Sequence, residues 1–126
     1  MRFIRTWRRS LVRVVPNKIF SLLGLATRAG RLVSGEFMTE KAVKEGRAQL
    51  VLLGADASAN TKKNFRNMCE YYRVPYYEYG TKEELGHAMG KEMRASLAVT
   101  DGGFAQNLKK HLEETGSETE VAAWQK

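Results

Sequence analysis

A chain of 126 residues, 43% apolar and 28% charged, has the length and composition of one globular domain, and no run approaches the roughly 18 apolar residues of a membrane span. The single cysteine, Cys69, excludes an internal disulfide. With only His87 and His111 beside it no zinc site is expected, and a reducing, cytoplasmic setting without metal or cofactor fits. The 21 basic residues outnumber the 14 acidic ones, and a net charge of +7 favours a polyanionic partner.

Charge divides the chain into three. Residues 1–16 hold five arginines and no acid, interleaved with Phe3, Ile4, Trp7, Leu11 and Val12. Arginines interrupt every stretch that would serve as the apolar core of a secretory signal, so this segment reads as a basic arm able to fold onto RNA, as an organelle presequence, or as a frayed extension. Pro16 marks its end. Residues 17–112 hold 15 bases and 10 acids, and residues 113–126 hold four glutamates and one lysine, which reads as an acidic disordered tail.

From Asn17 onward, Ile19, Leu22, Leu23 and Ala26 recur at helical spacing, with Asn17 or Ser21 near the start and Gly30 as the closing glycine. Leu32 and Val33 form a short strand that turns through Gly35 into a helix over residues 36–45, which Gly46 ends. Residues 49–54 are a continuous apolar run, as expected of a strand buried on both faces at the centre of a sheet. A polar loop over 56–60 precedes a helix over 61–72 with Phe65, Met68, Cys69 and Tyr72 on one face. A strand over 76–79 follows. Thr81 and Glu84 then have the spacing of a capping box, and a strand over 95–100 and a helix over 102–112 complete the domain. Strands alternating with helices predict an α/β domain with helices on both faces of a mostly four-stranded sheet.

The turn at Gly35 is the stretch with most chemical content. A helix opening directly from a strand leaves N–H groups and the positive end of its dipole exposed, where phosphate binds well. Steps of four and three from Phe37 reach Lys41 and Lys44, so one aromatic ring and two ammonium groups share a face. Two readings of this stretch stand: a surface that reads RNA, or core packing by Phe37 and Met38 with solvated lysines behind them. Catalysis has no comparable candidate. Neither a phosphate-cradling Gly-x4-Gly-Lys-Ser/Thr loop nor a dinucleotide Gly-x-Gly-x-x-Gly is present. Neither histidine stands beside a nucleophile and an orienting acid, so no catalytic residue and no small-molecule substrate is expected.

The segments Asn17-Lys18-Ile19-Phe20-Ser21-Leu22-Leu23-Gly24-Leu25-Ala26, Arg28-Ala29-Gly30-Arg31-Leu32-Val33-Ser34-Gly35, Asn60-Thr61-Lys62-Lys63 and Leu85-Gly86-His87-Ala88-Met89-Gly90, with Leu50-Val51-Leu52-Leu53, Val74-Pro75-Tyr76 and Ala98-Val99-Thr100-Asp101, carry a resemblance. Together they resemble the bacterial, YlxQ-type branch of the ribosomal protein L-seven-Ae superfamily of kink-turn RNA binders, over about residues 17–112. The resemblance implies a three-layer α/β/α sandwich with a mostly four-stranded mixed sheet and a non-enzymatic role. It also implies structured RNA as partner, a kink-turn or a related ribosomal RNA, with association with the ribosome and no membrane.

The family's strand-to-helix turn carries Gly-x-Asn-Glu-x-x-Lys, here Gly35, Glu36, Phe37, Met38 and Lys41. Lysine suits guanine, which offers O6 and N7 as acceptors. Phe37 and Met38 replace the base-reading Asn and Glu, and neither side chain hydrogen-bonds a base edge. Phe37 is able to stack on an unpaired base, and Glu36 or Glu40 to accept from guanine N–H groups. The second implied RNA contact is the loop of Lys91, Glu92, Met93, Arg94 and Ala95, whose two cations favour phosphate. Arg28 and Arg31 are expected to flank the same turn and reach the RNA backbone, with Lys44 adding charge. The rival reading is a protein-interaction module of the same fold, with Phe37 and Met38 as apolar anchors.

Overall fold

The computed structural model describes residues 17–115. Helix α1 (Lys18–Arg28) starts where Asn17 accepts a hydrogen bond from the Phe20 N–H at 3.1 Å, and it closes with the Arg31 N–H donating to the Ala26 carbonyl. There follow β1 (Leu32–Ser34), α2 (Glu36–Lys44), β2 (Leu50–Leu53), α3 (Ala59–Tyr72), β3 (Tyr76–Glu78), α4 (Lys82–Ala88), β4 (Ser96–Val99) and α5 (Gly102–Thr115).

The strands form one sheet in the order β1-β4-β2-β3, with β4 antiparallel to both its neighbours and β3 parallel to β2. Alternation along each strand sorts the core into two. Leu50, Leu52, Tyr77, Leu97 and Val99 face α1, α4 and α5 through Ile19, Leu23, Leu85 and Leu108. Val51, Leu53, Tyr76 and Ala98 face α2 and α3 through Ala42, Val43, Phe65 and Cys69. The molecule is therefore a three-layer α/β/α sandwich around a mixed four-stranded sheet. As the unbroken apolar run predicts, β2 is interior and buried at every residue. The capping box of Thr81 and Glu84 is formed reciprocally.

Several boundaries differ from those read in the sequence. Helix α3 takes in Ala59 and Asn60, assigned above to a loop, because the Ser58 hydroxyl accepts from the Thr61 N–H at 3.1 Å and sets the start earlier. Helix α5 continues past Leu112 through Glu113 and Glu114 to Thr115. Glu113 accepts a hydrogen bond from the Tyr77 hydroxyl at 3.1 Å, so the acidic segment begins as part of the fold. The basic arm over 1–16 and the rest of the tail lie outside the described residues. Edge strand β3 is tied to α3 by Glu78, whose buried carboxylate accepts from the Tyr76 hydroxyl at 2.6 Å and from Arg66 at 3.1 Å, with Lys62 Nζ at 3.4 Å.

Candidate nucleic-acid interface

Strands β1, β2 and β3 run in one direction, because β1 and β2 are both antiparallel to β4 and β3 is parallel to β2. Their carboxyl ends open onto one rim. The first turns of α2, α3 and α4 and the loop leading into β4 gather there too. Such edges of α/β sheets are where ligands are held, since strands end there and helix N–H groups face outward.

Strand β1 leaves the sheet at Gly35, whose φ of 93° and ψ of 153° fall in a region open essentially only to glycine. Its N–H donates to the Ser96 carbonyl at 3.0 Å and its carbonyl accepts from the Thr39 N–H at 2.9 Å, so strand pairing passes directly into helix. In the first turn of α2 burial and hydrophobicity are inverted. Thr39 is fully buried with no partner for its hydroxyl among the described residues, whereas Phe37 is 73% exposed and Met38 38%. The alternative that placed Phe37 and Met38 in the core is thereby overturned. With Thr39, Ala42 and Val43 against the sheet, the 100° step of the helix turns Phe37, Lys41 and Lys44 outward in one line. Lys44 donates to Glu40 at 2.7 Å, and that carboxylate raises the ammonium's pKa. Lys41 has no ion-pair partner among the described residues.

The 91–95 loop lies against this turn. Arg94 Nε donates to Ser34 Oγ at 3.2 Å and Arg94 Nη1 to the Met93 carbonyl at 3.0 Å. The Arg94 N–H reaches the Lys82 carbonyl at 3.1 Å, and the Gly54 N–H donates to the Ala95 carbonyl at 3.0 Å. Arg94 is half-buried, so part of its guanidinium ties the loop to β1. Lys91, Glu92 and Met93 are exposed, Met93 at 61%, and Ala95 is half-buried. Sequence reasoning gave no role to Gly86, yet the loop crosses α4 there. The Lys91 N–H donates to the Gly86 carbonyl at 2.8 Å, and a Cβ on Gly86 would overlap the Glu92 carbonyl.

Glu36, Phe37, Met38, Arg94 and Ala95 thus meet with Gly35 at the rim, Met93 stands exposed beside Arg94, Lys41 and Lys44 follow along α2, and Lys91 and Glu92 lie further down α4, against Gly86. Arg31 does not join them, and the expectation that it flanks the turn is corrected. Its carbonyl accepts from the Thr100 N–H at the far end of β1, and the four extended steps to Gly35 span about 13 Å. Arg28 faces the end of α4 instead of the turn. Its Nη1 and the Ala88 carbonyl oxygen both lie within 4 Å of where a Gly24 Cβ would sit.

Among the described residues no three His, Cys, Asp or Glu side chains are grouped to hold a metal, and no helix is long and apolar enough to cross a membrane. Burial pushes the Cys69 thiol up to about 12, which keeps it protonated and unreactive. A hollow of about 330 Å³ between α1 and α4 is lined by Phe20, Glu83, Glu84, His87 and Ala88, and its acidic lining repels phosphate.

Over residues 17–109 the chain matches the model of the Ribosomal protein L7Ae/L30e/S12e/Gadd45 family. It is 51% identical over 89 residues to "RNA-binding protein YlxQ" of Bacillus subtilis, covering 71% of this chain and 89% of that one. It is 38% identical over 96 residues to the protein of that name in Enterococcus faecium, covering 76% and 92%. A solved structure of a protein of unknown function from Bacillus halodurans superimposes with a TM-score of 0.76 at 40% identity, covering 78% of this chain and 99% of that one. The 15.5kD RNA binding protein of Giardia lamblia superimposes with a TM-score of 0.68 at 21% identity, covering 79% and 91%, a likeness of fold. With a family model spanning most of its length and a relative at 51% identity, this chain belongs to the non-enzymatic Ribosomal protein L7Ae/L30e/S12e/Gadd45 family.

Proposed function

We propose that this chain is an RNA-binding protein, as its named relatives are, and that the rim formed by the turn at Gly35 and the 91–95 loop holds a kinked stem of ribosomal or regulatory RNA in the cytoplasm. The observation that carries this reading is the hydrogen bond from Arg94 to Ser34. It joins the two segments into one surface on which Phe37, Met38 and Met93 stand exposed among Lys41, Lys44 and Lys91. Aromatic rings beside ammonium groups suit unpaired bases next to phosphates.

The test is the affinity of the full chain for a consensus kink-turn and for a straight duplex of equal length, at two salt concentrations. The kinked RNA binds more tightly, and the preference survives added salt. Lys41→Ala weakens that binding by about 1 to 3 kcal/mol, the range for an ammonium reading guanine. Equal, salt-sensitive binding to both RNAs overturns the structural preference, and an unchanged affinity removes Lys41 from the site.

The exposure of Phe37, Met38 and Met93 favours a second reading, a protein-docking surface on the same rim. The double substitution Phe37→Asn, Met38→Glu separates the two. It raises affinity for the kink-turn if Phe37 and Met38 mark a real loss of the base-reading Asn and Glu. If it leaves RNA affinity unchanged and removes a salt-insensitive protein partner, the second reading holds.

A further inference from the structure

The outward side of the α2 and α3 layer carries a second pattern that the rim does not use. On α3, Asn60, Asn64, Asn67 and Tyr71 follow one another at steps of four, three and four, so they fall within one narrow arc, opposite the buried Phe65 and Cys69. All four are exposed, and the row runs about 16 Å along the helix axis. Among the described residues none of the three amides has a hydrogen-bond partner. Asparagine is a poor helix former because its short amide competes for backbone groups. Asn60 sits in the first turn, where asparagine is tolerated, but neither packing nor propensity accounts for Asn64 and Asn67 in register with it. The row ends at Tyr71, 79% exposed, which meets Tyr72 edge to face with ring centroids 4.9 Å apart.

The geometry points to a second contact surface here, for the minor groove of a duplex RNA stem, and it rests on the reading of the rim as an RNA site. In A-form RNA that groove is wide and shallow and displays 2′-hydroxyls and base edges, each able to donate or accept. An uncharged amide with two donors and one acceptor matches such groups. Lys63, exposed on the turn beside the row, and Arg73 at the end of the helix carry positive charge against Glu70, whereas Lys62 and Arg66 turn to the other side of α3 and pair with Glu78. The adjoining α2 packs against α3 and turns Lys41 and Lys44 to the same outer side. Both helices begin at the rim, so a stem leaving a ligand held there runs along α3. A protein partner calls for an apolar centre, and the row has none before Tyr71.

Fluorescence anisotropy with the full chain tests this, using a kink-turn RNA with a flanking stem of about 6 base pairs, one with about 14, and the longer one with 2′-deoxy residues in that stem. The longer all-RNA stem binds on the order of tenfold more tightly than the short one. Both the 2′-deoxy stem and the double substitution Asn64→Ala, Asn67→Ala remove that gain while leaving short-stem binding unchanged. Alanine is the better helix former, so the variant keeps α3, which an unfolding midpoint at or above wild type verifies. Absence of a stem-length gain, or a gain that survives both changes, overturns the inference while leaving the rim reading intact if Lys41→Ala still weakens binding. Failure of the wild type to bind any of the three RNAs overturns both, and leaves the row to a protein partner.

Discussion

Gly86→Ala will lower the unfolding midpoint and loosen the 91–95 loop together. A Cβ at this position meets the Glu92 carbonyl and the Met93 Cα, both backbone, so neither side yields by a rotamer change and either α4 or the loop must shift. Overpacking of this kind costs about 1 to 3 kcal/mol, and for a domain of this size each kcal/mol moves the midpoint by roughly 4 to 8 °C. The control is Gly102→Ala, where nothing lies within 4 Å of the added methyl; that change is expected to be neutral or slightly stabilising. Thermal denaturation of the two variants decides the matter. Equal midpoints would mean that the loop gives way freely and that Gly86 positions nothing. If the rim holds RNA as proposed, affinity falls with the midpoint, because the loop that carries Met93 and Arg94 is the part displaced.

Glu78→Ala is expected to destabilise the chain by about 2 to 3 kcal/mol. Glu78 is 6% exposed and its carboxylate faces three donors, so its removal takes the acceptor from the Tyr76 hydroxyl and leaves two cations without their counter-charge. The figure is below that for a fully buried pair, because Lys62 and Arg66 are partly exposed and swing into water. Tyr76→Phe removes one of the three interactions and costs about 1 kcal/mol. Urea unfolding orders the variants. A Glu78→Ala chain within about 0.5 kcal/mol of wild type would reduce the network to ordinary surface pairing.

Local chemistry carried the reading of this chain further than composition did. Asn17 as a cap, the reciprocal bonds of Thr81 and Glu84, the interior strand at 50–53 and the strand-to-helix turn at Gly35 are all decided within a few residues of themselves, and each was legible. What depends on register across the sheet was not. Arg31 is next to Leu32 in sequence, but only the pairing of β1 with β4 says which end of the strand faces the rim. Gly86 is spaced like any helical glycine, and its role arises from a segment folding back over it. Helix α2 misled in the opposite sense. Apolar residues at 37 and 38 and a threonine at 39 suggest a core on the wrong side of the first turn, and only packing against β1 and β4 decides that Thr39 is the one buried. On α3 the apolar spacing of Phe65, Met68, Cys69 and Tyr72 marks the inner face, while a row of amides at 60, 64 and 67 gives no hydrophobic signal to distinguish it from any solvated face.

The position of β4 has a consequence for how the protein is made. The last strand among the described residues, 96–99, lies second in the sheet, between the first strand and the second, and among those residues it is the only strand hydrogen-bonded to β1. In a chain emerging from the ribosome the partners β2 and β3 are both available before β4, but among the described residues β1 and the turn at Gly35 have no strand to pair with until almost the whole domain has been synthesised. The Ser96 carbonyl that receives the Gly35 N–H and the arginine that reaches Ser34 arrive in that same final stretch. Completion of the fold and assembly of the rim are therefore one event, so a truncated product lacking residues 91–99 carries the basic charge of the protein without the surface that gives that charge a shape.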